Sequence, residues 1–257
     1  MNLEFDKNLI AGYKSQVQIT RVVTEHWVEN SAFCPNCGKM KIDKYPNNWP
    51  VADFYCSNCK EDFELKSQKG IIGKRIVDGS YRTMIERMQG INNPNFFLLN
   101  YDLKKFEVLN FFVIPKHYFV PAMIEKRNPL RTTARRAGWI GCNILLRDIP
   151  QSGKIYFVKD QIVEPKDKVL SEWKRTLFLR KEKELDAKGW LLDIMTCVEK
   201  LSCKEFLLKD MYYFEKDLRK KYPGNYHIRD KIRQQLQVLR DKGYLEFIGQ
   251  GRYCIKG

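Results

Sequence analysis

Two Cys-x-x-Cys pairs, Cys34/Cys37 and Cys56/Cys59, stand 18 residues apart and constrain this chain more than any other feature. Each pair needs a tight turn, which Pro35, Asn36 and Gly38 supply in the first and Ser57 and Asn58 in the second. Two such knuckles wrap four thiolates around one tetrahedral ion, and the spacing is that of a structural zinc site. Four cysteines buried as small apolar residues are the alternative. A complete four-thiolate set leaves no open coordination position, so this Zn2+ is expected to hold structure rather than perform chemistry. Cys142, Cys197, Cys203 and Cys254 lack such pairing and read as packing residues, and His26, His117 and His227 show no ligand spacing.

Around the second knuckle the pattern is that of a hairpin. The run VADFYC after Pro50 reads as a strand, Cys56–Cys59 as its turn, and EDFELKS as the returning strand. A helix is expected at 18–30, from the spacing of Ile19, Val22, Val23 and Trp27, and another at 80–91. NFFLLNY from Asn95 has the continuous apolar character of a central strand, and 106–114 reads as its neighbour. Strand, strand, helix, strand in this order predicts a mixed α/β core with one crossover, into which the zinc module, about 31–60, is inserted.

Near residue 180 the composition turns almost wholly charged, and fresh amphipathic patterns follow, so the domains are expected to be 1–183 and 184–257. Helices are predicted at 190–201, 207–222 and 227–242, the last stopped by Gly243, with a hairpin around Gly249 and Gly251. Three helices and a terminal hairpin outline a winged helix, whose third helix enters the major groove of DNA. On that helix Ile228, Ile232 and Leu239 share one face, while Arg233, Gln234, Gln237 and Arg240 take the other and can meet phosphates or base edges.

Charge points the same way. Forty-six lysines and arginines against 31 acids leave a formal +15, an excess that suits a polyanionic partner. The longest apolar runs are too short to span a bilayer, and the N-terminus MNLEFDKNLI is unlike a signal peptide, so a cytoplasmic protein with no membrane association is expected. Within the hairpin, Glu64 and Lys66 share a strand face, with Phe63 and Leu65 expected to point into the core. Were Asp53 opposite them, two carboxylates and an ammonium would converge. Asp53 and Glu64 would suit Mg2+, with Lys66 beside the attacking water of a phosphodiester hydrolysis. Asp62 and Glu25 are alternative carboxylates, and the triplet by itself also fits a solvated strand face. Arg135, Arg136 and Trp139 form a second basic and aromatic cluster, suited to phosphates and an unstacked base step or, alternatively, to a core tryptophan with two surface arginines.

Asp53 with Glu64-Leu65-Lys66, both Cys-x-x-Cys pairs, and the stretches TARRAGWIGCN, PVADFYC, FELKS, NNPNFF and IRQQLQVLRDK resemble the PD-(D/E)xK nucleases, and among them the DpnI-like methyl-directed restriction endonucleases, over almost the whole chain. The resemblance implies a monomeric, magnesium-dependent enzyme that cuts double-stranded DNA at GATC only when adenine is methylated, with Asp53, Glu64 and Lys66 as the metal and catalytic set. Pro50 does not directly precede Asp53, a departure from the family's nominal Pro-Asp. Spacing and charge alone support a zinc-containing DNA enzyme. A zinc-ribbon and winged-helix transcription regulator without cleavage, and a nuclease of the same fold with another site specificity, are the alternatives.

Overall fold

The computed structural model describes residues 1–47, 49–90 and 93–256. The chain packs into two compact units: Met1–Arg147 with Ser152–Lys174, and Asp148–Gln151 with the segment from Arg175 onward. In the first unit α1 (Gln16–Ser31) precedes β1 (Asp43–Lys44), β2 (Phe54–Tyr55), β3 (Asp62–Lys69), β4 (Ile76–Ser80) and α2 (Tyr81–Gln89). There follow β5 (Asn95–Asp102), β6 (Glu107–Ile114), β7 (Ile124–Lys126), β8 (Gly141–Ile144), β9 (Ile155–Lys159), β10 (Ile162–Val163) and α3 (Lys166–Arg175). Ile91, the end of the helix expected at 80–91, and Asn92 of the NNPNFF stretch lie outside the described residues.

Among the described residues seven strands form a mixed sheet in the order β1-β2-β3-β5-β6-β9-β10, in which only β3 and β5 run parallel. The crossover between them carries β4 and α2. Residues 95–101 are buried throughout, which explains why this strand reads as a continuous apolar run rather than an alternating one. One face is laddered with aromatic rings: Phe63 stacks on Phe97 at 4.5 Å, Phe97 packs on Phe111 at 5.0 Å, and Phe111 on Phe157 at 5.0 Å. Trp27 of α1 closes edge-on against Phe111 at 5.3 Å. A separate three-stranded sheet, β4-β8-β7, was not legible in the pattern because its strands are three to five residues long. The strand expected from Pro50 shrinks to Phe54–Tyr55, since Val51 sits at φ 82° and takes the chain out of extended geometry.

The second unit contains α4 (Leu185–Lys200), β11 (Glu205–Leu207), α5 (Leu208–Met211), α6 (Glu215–Lys221), α7 (Ile228–Asp241), β12 (Leu245–Gly249) and β13 (Arg252–Ile255). The single helix expected at 207–222 is broken: β11 pairs with β13, the Leu208 amide donates to Gly251 O at 2.8 Å, and a 3-10 turn separates α5 from α6. Tertiary pairing with the terminal hairpin thus overrides local helical periodicity. Helix α7 ends where Gly243 takes φ 75°, as its sequence predicts. Trp190, Leu192, Ile194, Val198, Ile232, Leu236 and Leu239 form the core between α4 and α7. This is a winged-helix outline with a three-stranded sheet ordered β11-β13-β12.

Candidate active site and metal centre

The four thiolates lie together. Their sulfur atoms are all within 4.8 Å of one another, with Cys34 Sγ 3.5 Å from Cys59 Sγ and Cys37 Sγ 3.5 Å from Cys56 Sγ. A tetrahedral ion with Zn–S bonds of about 2.3 Å separates its sulfurs by roughly 3.8 Å, so the cluster fits Zn2+ with little adjustment. Each knuckle is closed by its backbone: Gly38 N donates to Cys34 O at 2.9 Å and Lys60 N to Cys56 O at 2.8 Å. Gly38 at φ 77° and Lys60 at φ 60° supply the left-handed residues these turns require. Trp173, fully buried in α3, donates through Nε1 to Asn36 Oδ1 at 2.9 Å and anchors the first knuckle. Of the remaining cysteines, Cys142 and Cys197 are buried and Cys254 is half-buried, whereas Cys203 is exposed, contrary to the packing role expected of it.

Because the second knuckle is the turn between β2 and β3, it also sets the register of the chemical residues. Asp53 N donates to Phe63 O at 3.0 Å, extending the ladder one residue before β2, and the Asp53 carboxylate accepts from the Leu65 amide at 2.7 Å. Asp53 is therefore tied to the backbone between Glu64 and Lys66. Burial pushes its carboxyl above the ordinary aspartate range, opposed by the Leu65 amide and reinforced by the neighbouring Glu25. Asp53 and Glu25 line a cleft of about 500 Å³ whose other walls include Thr20, Arg21, Leu65 and Tyr101. Leu65 is half-exposed and lines this cleft rather than being buried in the core as expected. Glu25 is itself paired to Arg21 at 2.8 Å and to Lys44 at 2.7 Å, and Asp62 accepts from the Tyr45 hydroxyl at 3.0 Å.

Glu64 and Lys66 meet on the opposite face of β3. Lys66 Nζ is 2.5 Å from Glu64 Oε1 and 2.5 Å from Asp78 Oδ1, and Arg87 of α2 approaches Glu64 Oε2 at 3.5 Å. Burial alone would lower the Lys66 ammonium, but the two carboxylates outweigh it and hold the group above its ordinary value. Burial raises Glu64, partly offset by Lys66. Glu64 Oε2 is buried and makes no hydrogen bond. The convergence expected of Asp53 with Glu64 and Lys66 is therefore not displayed: Asp53 lies with Glu25 on the Leu65 side of β3, and Glu64 lies with Lys66 and Asp78 on the other, its Oε2 being the carboxylate oxygen left open to a hard divalent cation. Asp78 and Arg87 were missed in the sequence; the β-branched pair Ile76-Val77 before Asp78 was the only local signal of a strand there.

The other candidates are accessible. Arg135 and Arg136 are exposed on a narrow arm between β7 and β8, closed by Leu130 N to Trp139 O at 2.9 Å and Gly138 N to Leu130 O at 3.0 Å. Trp139 is half-buried, with the Arg136 guanidinium 5.3 Å from its ring centre. A side chain at Gly141 would meet that indole at 2.9 Å, so glycine is what lets the ring lie down. In the second unit Arg233, Gln234, Gln237 and Arg240 are exposed on α7, while Ile228, Ile232 and Leu239 are buried.

No helix among the described residues is long and apolar enough to cross a membrane. Comparison with protein families matches residues 1–182 to the DpnI model, described as the Dam-replacing family, and residues 186–254 to the Dam-replacing HTH domain. Nuclease-core sheet, four-cysteine cluster and C-terminal winged helix agree with those matches, and the chain belongs to the DpnI, Dam-replacing family.

Proposed function

We propose that this chain is a type II restriction endonuclease that hydrolyses double-stranded DNA at GATC sites carrying methylated adenine, with Mg2+ held by Asp53 and Glu64 and Zn2+ held by Cys34, Cys37, Cys56 and Cys59. The observation that carries it is the charged Lys66 pinned against Glu64, on a strand whose intervening amide binds Asp53, within a chain of the DpnI family. Magnesium bound to these carboxylates would supply positive charge to the phosphate oxygens as negative charge gathers on them. Lys66, kept protonated by two carboxylates, serves as a hydrogen-bond donor and local positive charge rather than as a resting base. The Asp53 carboxylate rests on the Leu65 amide and would have to turn from it toward Glu64 for the two to share one cation.

Recognition is assigned to both domains, 1–183 and 184–257. Arg135, Arg136 and Trp139 would grip the backbone and a base step, while Arg233, Gln234, Gln237 and Arg240 would enter the major groove. In a methylated palindromic GATC the two methyl groups occupy neighbouring base pairs, so one reader domain can touch both, in keeping with a monomer. None of the eight cysteines forms a disulfide, which suits a reducing cytoplasm.

The test is digestion, with magnesium, of one plasmid prepared with and without adenine methylation at GATC. Cutting of the methylated form alone is expected. Cutting of both forms would leave a nuclease of other specificity, and binding without cutting of either would point to a regulator.

A further inference from the structure

We propose that Asp78 is the positioning residue for Lys66, the second anchor that keeps the ammonium at the reaction centre once Glu64 is engaged by a cation. The inference rests on Lys66 being catalytic. Asp78 lies on β4, outside the Asp53…Glu64-Leu65-Lys66 set, and arrives through the crossover that also makes β3 and β5 parallel. Its side chain is only 7% exposed and sits 2.5 Å from Lys66 Nζ. The pairing of β4 with β8 shifts between Asp78 and Ser80, a bulge at Gly79, and the Gly79 amide donates to Asp78 Oδ1 at 2.7 Å. Bulges beside active sites re-aim a side chain, and this one presents a carboxylate oxygen to Lys66 while satisfying it from its own backbone.

A lysine has four rotatable side-chain bonds, and its point-like ammonium carries no directional preference that could hold it in place. Glu64 supplies one contact at 2.5 Å, but the same carboxylate is the proposed cation ligand, and its other oxygen faces Arg87. Charge donated to a cation weakens its hold on the ammonium. Asp78 is then the carboxylate left to Lys66. The half-buried groups Glu64, Asp78, Lys66 and Arg87 carry two negative and two positive charges, so Asp78 also completes the charge balance of the cluster.

The full-length protein with Asp78→Asn is expected to cut methylated GATC duplex about 100-fold more slowly in kcat, with KM and metal-free duplex binding changed less than about twofold. Asp78→Glu, which keeps the charge, should recover part of that rate. Thermal melting without magnesium supplies a readout independent of cleavage. Lys66→Met and Asp78→Asn should each lower Tm, whereas the double variant should lie above the sum of the two losses, because both unpaired charges have gone. A Lys66→Met protein that is dead beside a fully active Asp78→Asn protein would overturn the role of Asp78, as would strictly additive melting losses. An active Lys66→Met protein would instead overturn the catalytic assignment on which the inference stands.

Discussion

At the scale of single residues, burial is what separates the candidate catalytic carboxylates from the many acids on the surface. Asp53 and Glu64 are pushed above their ordinary values by desolvation, whereas half-exposed Asp43 and Glu125 are lowered by hydrogen bonds to Lys39 and Asn143. Asp53→Ala should therefore remove a carboxylate that the proposed hydrolysis needs without removing a surface assigned to the duplex. Strand cleavage is expected to fall by roughly a thousandfold, with duplex affinity by fluorescence anisotropy within a few fold. Lost affinity alongside lost cleavage would make Asp53 structural. In the second unit, Asp193 receives Lys221 at 2.5 Å and the Tyr222 hydroxyl at 2.6 Å, and Tyr222 stacks on Trp190 at 3.7 Å. Burial and the Asp193 charge raise the Tyr222 hydroxyl far above its usual value, so the folded state keeps this proton after the unfolded chain has lost it. Stability from this group is complete below about pH 10 and falls as pH rises beyond it. Tyr222→Phe should flatten that alkaline limb of a melting curve taken against pH, and an unchanged limb would refute the assignment.

Among the elements, the zinc hairpin carries most of the functional order. Its turn is the second knuckle, and Asp53, Glu64 and Lys66 hang from its two strands. Structural zinc contributes on the order of 10 kcal/mol in small zinc-folded peptides, comparable to the whole stability of a typical domain at about 5–15 kcal/mol. Stripping zinc with a strong chelator, or Cys56→Ser, should thus disorder the hairpin and abolish cleavage. Magnesium alone should not restore it, while zinc added before magnesium should, followed by circular dichroism and cleavage in parallel. Cleavage by zinc-free protein given only magnesium would show the thiolates to be dispensable. Helix α7 was readable because a 14-residue amphipathic pattern outweighs local noise; β11 was not, because three residues paired to a distant strand leave no periodicity of their own.

Over the whole molecule, the +15 charge sets how the chain meets DNA. Phosphate contacts release counterions, so log K should fall linearly with log salt at a slope of about −0.9 per contact. Replacing Arg135 and Arg136 together by alanine should reduce the magnitude of that slope by about 1.8, measured by titrating a methylated duplex at several salt concentrations. An unchanged slope would take the arm between β7 and β8 out of the interface. The two family matches cover 1–182 and 186–254, so both parts of the chain belong to one kind of DNA enzyme.

What the sequence determined by itself was local or strongly periodic: the four-cysteine cluster, the hairpin with Glu64 and Lys66 on one face, the buried run from Asn95, and the apolar stripe of α7. These follow from ligand spacing and from repeats of 2 and 3.6 residues, which need no knowledge of distant partners. Tertiary structure alone decided that Asp78 and Arg87 close around Lys66 and Glu64, that Leu65 opens to a cleft, and that 205–207 leaves a helix for a strand. Each depends on contact between segments far apart in the chain, where burial and strand pairing outweigh local preference and leave no trace in spacing.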